Sequence, residues 1–194
     1  MNSRACILNA VKENQPELLA LPDITHLLEV ENQDLVAEFT RVIEGIGAKV
    51  FQVNKYQEII HHLKADFETE KVRVVSTLKE FDEIAKPFSG LDNHELADVE
   101  LMILPTHFAV AENGASWVDD ELFKERVLPF IPQHLVFIVE KEKIVPTMHH
   151  AYQLIGKKKY SYGTFIAGPS KTADIEQSLV LGAHGPRSLR VFLV

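Results

Sequence analysis

Five consecutive residues, Gly168-Pro169-Ser170-Lys171-Thr172, place one ammonium and two hydroxyls in a turn that ends the apolar run Thr164–Ala167. Glycine and proline break the strand that this run predicts. The residues that follow read as a helix: Thr172 is placed to cap it, Asp174 and Glu176 sit in its first turn, and Gly182 stops it. Free amides at a helix start favour an anion, and Lys171 adds charge. Gly168, Ser170, Lys171, Thr172 and Asp174 are therefore candidate anion-binding residues. The turn lacks both the GxxxxGK[ST] and the GxGxxG spacing, so it is neither a Walker sequence nor a dinucleotide fingerprint. His184-Gly185-Pro186 follows the same helix, and is either held by backbone bonds or functional. A helix between them separates His184 from Ser170, so the two form no simple dyad.

The second constellation is Glu112-Asn113-Gly114, an acid beside a strong turn signal inside an otherwise apolar stretch. A carboxylate desolvated there can act as a base or nucleophile. Bonded to neighbouring amides, it is an ordinary turn acid. Arg126 is of the type that forks a carboxylate. The nine histidines suggest no metal centre. His61-His62 and His149-His150 are adjacent on predicted helices, so each pair diverges by about 100°. His94-Glu95 lacks the second histidine of an HExxH site.

The elements that position these groups alternate. Helices are expected over Ser3–Asn14, Asp34–Ile46, Gln57–Phe67, Asp119–Arg126 and Thr147–Lys158, where Lys157-Lys158-Lys159 closes the last one. Strands are expected at Lys49–Val53, Val72–Ser76, Val99–Leu104, Leu135–Val139, Thr164–Ala167 and Ser188–Val194. Glu83–Glu95 is irregular, broken by Pro87 and Gly90, and His107–Ser116 is a polar connection before Trp117. Such alternation implies an α/β fold with a largely parallel open sheet flanked by helices. The last two strands, joined by a helix crossover, should pair in parallel. Residues 1–33 read as an N-terminal helix and connector, an arm on the core or on another subunit, and 34–194 as a single α/β domain.

Composition narrows the function. Hydrophobic residues make up 46% of 194 residues, ordinary for a globular domain. Twenty-eight acids against twenty bases give a net charge of −8, which argues against nucleic acid or an acidic membrane as partner. Cys6 is the sole cysteine, so no intramolecular disulfide forms and no iron–sulfur cluster is expected in this chain. No apolar run approaches the roughly 20 residues of a membrane span, and no signal-peptide core is present. A cytosolic protein is the expectation.

The segment GPSKTADIE followed by G-x-HGP and a terminal strand resembles the lactate-utilisation protein C family, the LutC/YkgG type of LUD-domain protein. Members tend to carry A-x-A-E/D-T-G-T, then an arginine, a proline and a histidine before a strand. Here that reads Ala109–Ser116, Arg126, Pro129 and His134, with Asn113 and Ala115 in place of the usual threonines. The resemblance implies a fold like that of the NagB/RpiA/CoA-transferase group. It also implies a role in oxidising L-lactate to pyruvate beside iron–sulfur partner proteins, with a small anionic metabolite as ligand. Glu112-Asn113-Gly114 is in addition similar to the S-E-N-G segment that carries the glutamate nucleophile of CoA transferases. A CoA or acyl transferase using Glu112, or a non-catalytic assembly subunit, are the competing expectations.

Overall fold

The computed structural model describes residues 2–20, 22–29, 34–86, 93–156, 158–173 and 179–194. Asp174, Glu176, Lys157, Pro87 and Gly90 lie outside them.

Five parallel strands form the central sheet: β1 (Lys49–Gln52), β2 (Arg73–Ser76), β3 (Val99–Pro105), β6 (His134–Val139) and β11 (Ser188–Leu193). They lie in the order β1-β11-β6-β3-β2, so the carboxy-terminal strand sits between the first strand and β6. Leu101–Leu104 of β3 and Leu135–Val139 of β6 read as continuous apolar runs because both faces are covered. On one face Leu135, Phe137, Val139, Leu189 and Val191 meet Phe39 and Ile43 of helix α2 (Leu35–Gly45). On the other, Val136, Ile138 and Phe192 meet Ile59, Ile60 and Leu63 of helix α3 (Tyr56–Asp66). Phe137 is fully buried, and truncating such a ring costs about 3–5 kcal/mol. The Asp34 carboxylate accepts from the Ala37 amide at 3.0 Å and starts α2.

A second sheet was not foreseen. Strands β4 (Phe108–Val110), β5 (Ser116–Asp119), β7 (Ile144–Val145) and β8 (Gly163–Ile166) assemble in the order β7-β4-β5-β8. The region expected to be a polar connection is thus a hairpin, with Phe108 opposite Trp117 across the Asn113-Gly114 bend. Ala109, Ala111 and Val118 join the main core. Phe108, Val110 and Trp117 face outward and are covered by Ala151 and Ile155 of helix α4 (Met148–Ile155).

Three further expectations are corrected. The stretch Asp119–Arg126 is not a helix. Asp119 ends β5, and its Oδ1 accepts from the Glu121 amide at 3.0 Å, an Asx turn two residues on rather than a helix cap. At both ends of the helix expected after Thr172 the described residues are strands instead, β9 (Lys171–Ala173) pairing antiparallel with β10 (Leu179–Leu181), with Thr172 opposite Val180; residues 174–178 between them lie outside the described residues. Cross-strand bonding satisfies the backbone that a helix would have satisfied internally, so the capping pattern was misleading. Finally, β8 does not pair with β11: it pairs antiparallel with β5 in the small sheet.

Helix α1 (Ser3–Glu13) buries none of its residues, and Ile7, Leu8 and Val11 are exposed. Among the described residues no helix is long and apolar enough to cross a membrane.

Candidate functional site

Gly168 has φ +74°, and a Cβ there would lie 3.2 Å from the Ile46 carbonyl oxygen, so the chain turns against the end of α2 only as glycine. Just beyond, the Ser170 amide donates to the Pro186 carbonyl at 2.8 Å, and the Gly182 amide donates to the Ser170 carbonyl at 3.1 Å. The hairpin therefore brings Ser170 beside Gly182–Pro186, where a helix would have separated them. The Lys171 ammonium donates to the Ile46 carbonyl, the residue that follows α2. Its charge complements the negative end of that helix. His184 is exposed at the edge of the same corner.

The Asn113-Gly114 bend leans on the same helix. Gly114 has φ +70°, and a Cβ there would sit 3.0 Å from the Ile43 Cβ. The Asn113 side chain accepts from the Ala115 amide at 3.0 Å. Both turns thus touch the last turns of α2, yet the two charged groups face different partners. The Glu112 Oε2 accepts from the Met148 amide at 2.8 Å, at the amino end of α4. Thr147 supplies no side-chain cap to that helix, so Glu112 does. Arg126 lies over the Tyr162 ring, 5.3 Å from its centroid, rather than against a carboxylate.

A different pair has the geometry of a site. His107 follows the carboxyl end of β3, and its Nε2 lies 2.7 Å from Asp119 Oδ1. Asp119 is 1% exposed, and its Oδ2 has no partner. The imidazole is mostly buried but reaches the rim of a cleft of about 480 Å³. Glu142, Lys143 and Lys158 line that cleft with charge, Lys143 being paired with Glu140 at 2.8 Å, while Phe108, Val145 and Leu154 line it with apolar surface. Glu142 and Lys143 come shortly after β6, so the cleft lies beyond the carboxyl ends of two adjacent parallel strands. Ligands of open α/β sheets bind in that position. A larger recess of about 620 Å³ lies at the amino ends of β2 and β3, where Arg73 and Asp98 pair at 2.5 Å. Its lining charges largely neutralise one another, which makes it the poorer candidate.

Residues 81–194, more than half of the chain, match the sequence model of the LUD domain. The chain belongs to the LUD domain family. It is 36% identical over 99 residues to lactate utilization protein C of Anoxybacillus flavithermus, covering 50% of this chain and 45% of that one. Over 102 residues it is 35% identical to lactate utilization protein C of Shouchella clausii, covering 50% and 44%. The chain spans somewhat under half the length of these curated relatives. A DUF162 family protein of Deinococcus radiodurans superposes with a TM-score of 0.59 at 20% identity, over 82% of this chain and 96% of that one. That likeness concerns the fold.

Within this LUD domain His134 opens β6. Its Nδ1 lies 2.6 Å from Ser188 Oγ and its Nε2 lies 3.5 Å from Glu100. Burial pushes the imidazole below its ordinary value; Glu100 opposes that shift, and Arg187 and Arg190 add to it. This network lies at the amino ends of the strands, opposite the His107 cleft.

Sequence reasoning missed His107 and Asp119, twelve residues apart. The signal was there: an Asn-Gly bend midway between them folds the flanking segments together. Reading Asp119 as a helix cap removed the partner from view.

Proposed function

We propose that this LUD-domain chain is a component of an L-lactate utilisation system, and that the His107 cleft binds a small 2-hydroxy or 2-oxo carboxylate. The observation that carries the ligand class is the lining of that cleft. Lys158 offers charge for a carboxylate, His107 is oriented by a buried acid, and Phe108, Val145 and Leu154 suit a short carbon chain. Lactate is such a ligand, and the relatives from Anoxybacillus and Shouchella carry lactate utilisation in their names. Oxidising lactate to pyruvate releases two electrons. Cys6, exposed on α1, is the only cysteine and cannot hold a cluster. The electrons would pass to iron–sulfur partner proteins, and the NagB/RpiA/CoA-transferase likeness of the fold belongs to the same reading.

Calorimetric titration of L-lactate and pyruvate into wild type, Lys158→Ala and Lys171→Ala tests the site. Binding that weakens in Lys158→Ala and persists in Lys171→Ala supports the cleft. Loss confined to Lys171→Ala moves the ligand to the Gly168–Thr172 corner, and equal affinity in all three removes both. Co-purification with CxxC-rich iron–sulfur proteins tests the partner assignment.

A further inference from the structure

The buried Asp119 carboxylate poses a problem that the lactate reading leaves unsolved. Its Oδ1 is shared between His107 Nε2 and the Glu121 amide, while Oδ2 is enclosed without any donor. Buried polar atoms without partners are uncommon, and an enclosed carboxylate oxygen costs more than a neutral one because charge is being withheld from water. The other side-chain atoms in this condition, on Thr40, Ser116 and Trp117, are neutral. Asp119 is therefore the group that most demands a cation.

The neighbouring side chains supply the remainder of a coordination set. One ligand atom from each of His107, Asp119 and Glu121 lies within 4.8 Å of the others, and Glu121 reaches solvent. We propose that these three residues bind a divalent first-row transition cation, which the unpartnered Asp119 Oδ2 would contact. One imidazole and two carboxylates suit manganese, iron or zinc. Its ligands come from beyond the end of β3, the end of β5 and the turn after it, so no local motif joins them.

Three protein ligands leave positions open, and His107 borders the cleft. Resting on the function proposed above, the open positions would chelate the carboxylate and the adjacent oxygen of a 2-hydroxy or 2-oxo acid.

The test is calorimetric titration of Mn²⁺, and separately Zn²⁺, into the chelator-stripped full chain. One ion per chain should bind saturably. Affinity should fall at least ~tenfold in His107→Gln and in Glu121→Gln. Asp119 lies inside the fold, so the exposed Glu121 carries the decisive variant, with circular dichroism matched to wild type. Absence of saturable binding, or wild-type affinity in both variants, overturns the proposal. Lactate titrated with and without the ion separates this inference from the functional one. An ion that binds while lactate does not would leave the metal site standing and sink the ligand. Lactate binding in a chain that takes up no ion would do the reverse.

Discussion

Replacing Glu112 separates a helix cap from a nucleophile. Its carboxylate accepts from the Met148 amide at 2.8 Å, while its own amide donates to the Pro146 carbonyl at 3.0 Å. Helix α4 has eight residues and buries Ala151 and Ile155 over the outer face of the small sheet, so its start matters to that sheet's packing. Loss of an N-terminal cap costs about 0.5–2 kcal/mol, and an acid at the positive end of a helix contributes about 0.3–1 kcal/mol. The bond is exposed, which places Glu112→Ala near the lower part of that combined range, about 1 kcal/mol. For a chain of this size that is a fall in Tm of about 2–4 °C. Glu112→Gln keeps an acceptor oxygen and loses the charge, so it should cost about half as much. Urea unfolding and scanning calorimetry should rank wild type above Gln and Gln above Ala. Raising the salt concentration should shrink the first gap and leave the second. Equal stability of wild type and Glu112→Ala would refute the capping role. A hydroxylamine-sensitive or borohydride-trapped adduct at Glu112, formed with acyl-CoA, would establish the transferase alternative instead.

Glycine substitutions offer a matched contrast on helix α2. Gly114→Ala forces an alanine to φ +70° with its Cβ 3.0 Å from Ile43, and should cost about 1–2 kcal/mol in urea unfolding. Gly45→Ala, with nothing within 4 Å of the new methyl, should be neutral or gain up to about 1 kcal/mol from helix propensity. Gly163→Ala would place a Cβ 2.4 Å from the Trp117 ring, so the only tryptophan must shift, and its fluorescence spectrum should change with a loss of about 1–3 kcal/mol. His134 gives a pH signature. Its folded value lies below 6.5 through burial, so in the window beneath 6.5 the unfolded chain binds a proton that the folded chain does not. Stability should therefore fall as pH drops through that window, and His134→Gln should flatten the Tm profile between about pH 7.5 and 5.5. An unchanged profile would show that His134 does not carry the dependence.

The central sheet was legible because its inner strands carry buried apolar runs. Leu101–Leu104 and Leu135–Val139 are buried on both faces, Val191–Leu193 likewise, and a run of that kind between helical patterns has few other readings. The small sheet and the separate β9–β10 pair were not legible. Phe108–Val110 and Lys171–Ala173 are three residues long, too short to establish a period, and what folds them is pairing with a partner strand. The same limit governs the site residues. Glu112 and Lys171 stood out as charges beside turns, but their consequence depended on which helix end each would meet. Glu112 meets the amino end of α4, and Lys171 meets the carbonyl that closes α2. Each charge is matched to the dipole it faces, and neither partner is near it in sequence. His107 and Asp119 carry no charge pattern or motif at all; only the hairpin between them makes them neighbours. In this fold, local pattern selects polar residues worth testing. Strand pairing then decides whether such a residue closes a helix or lines the cleft.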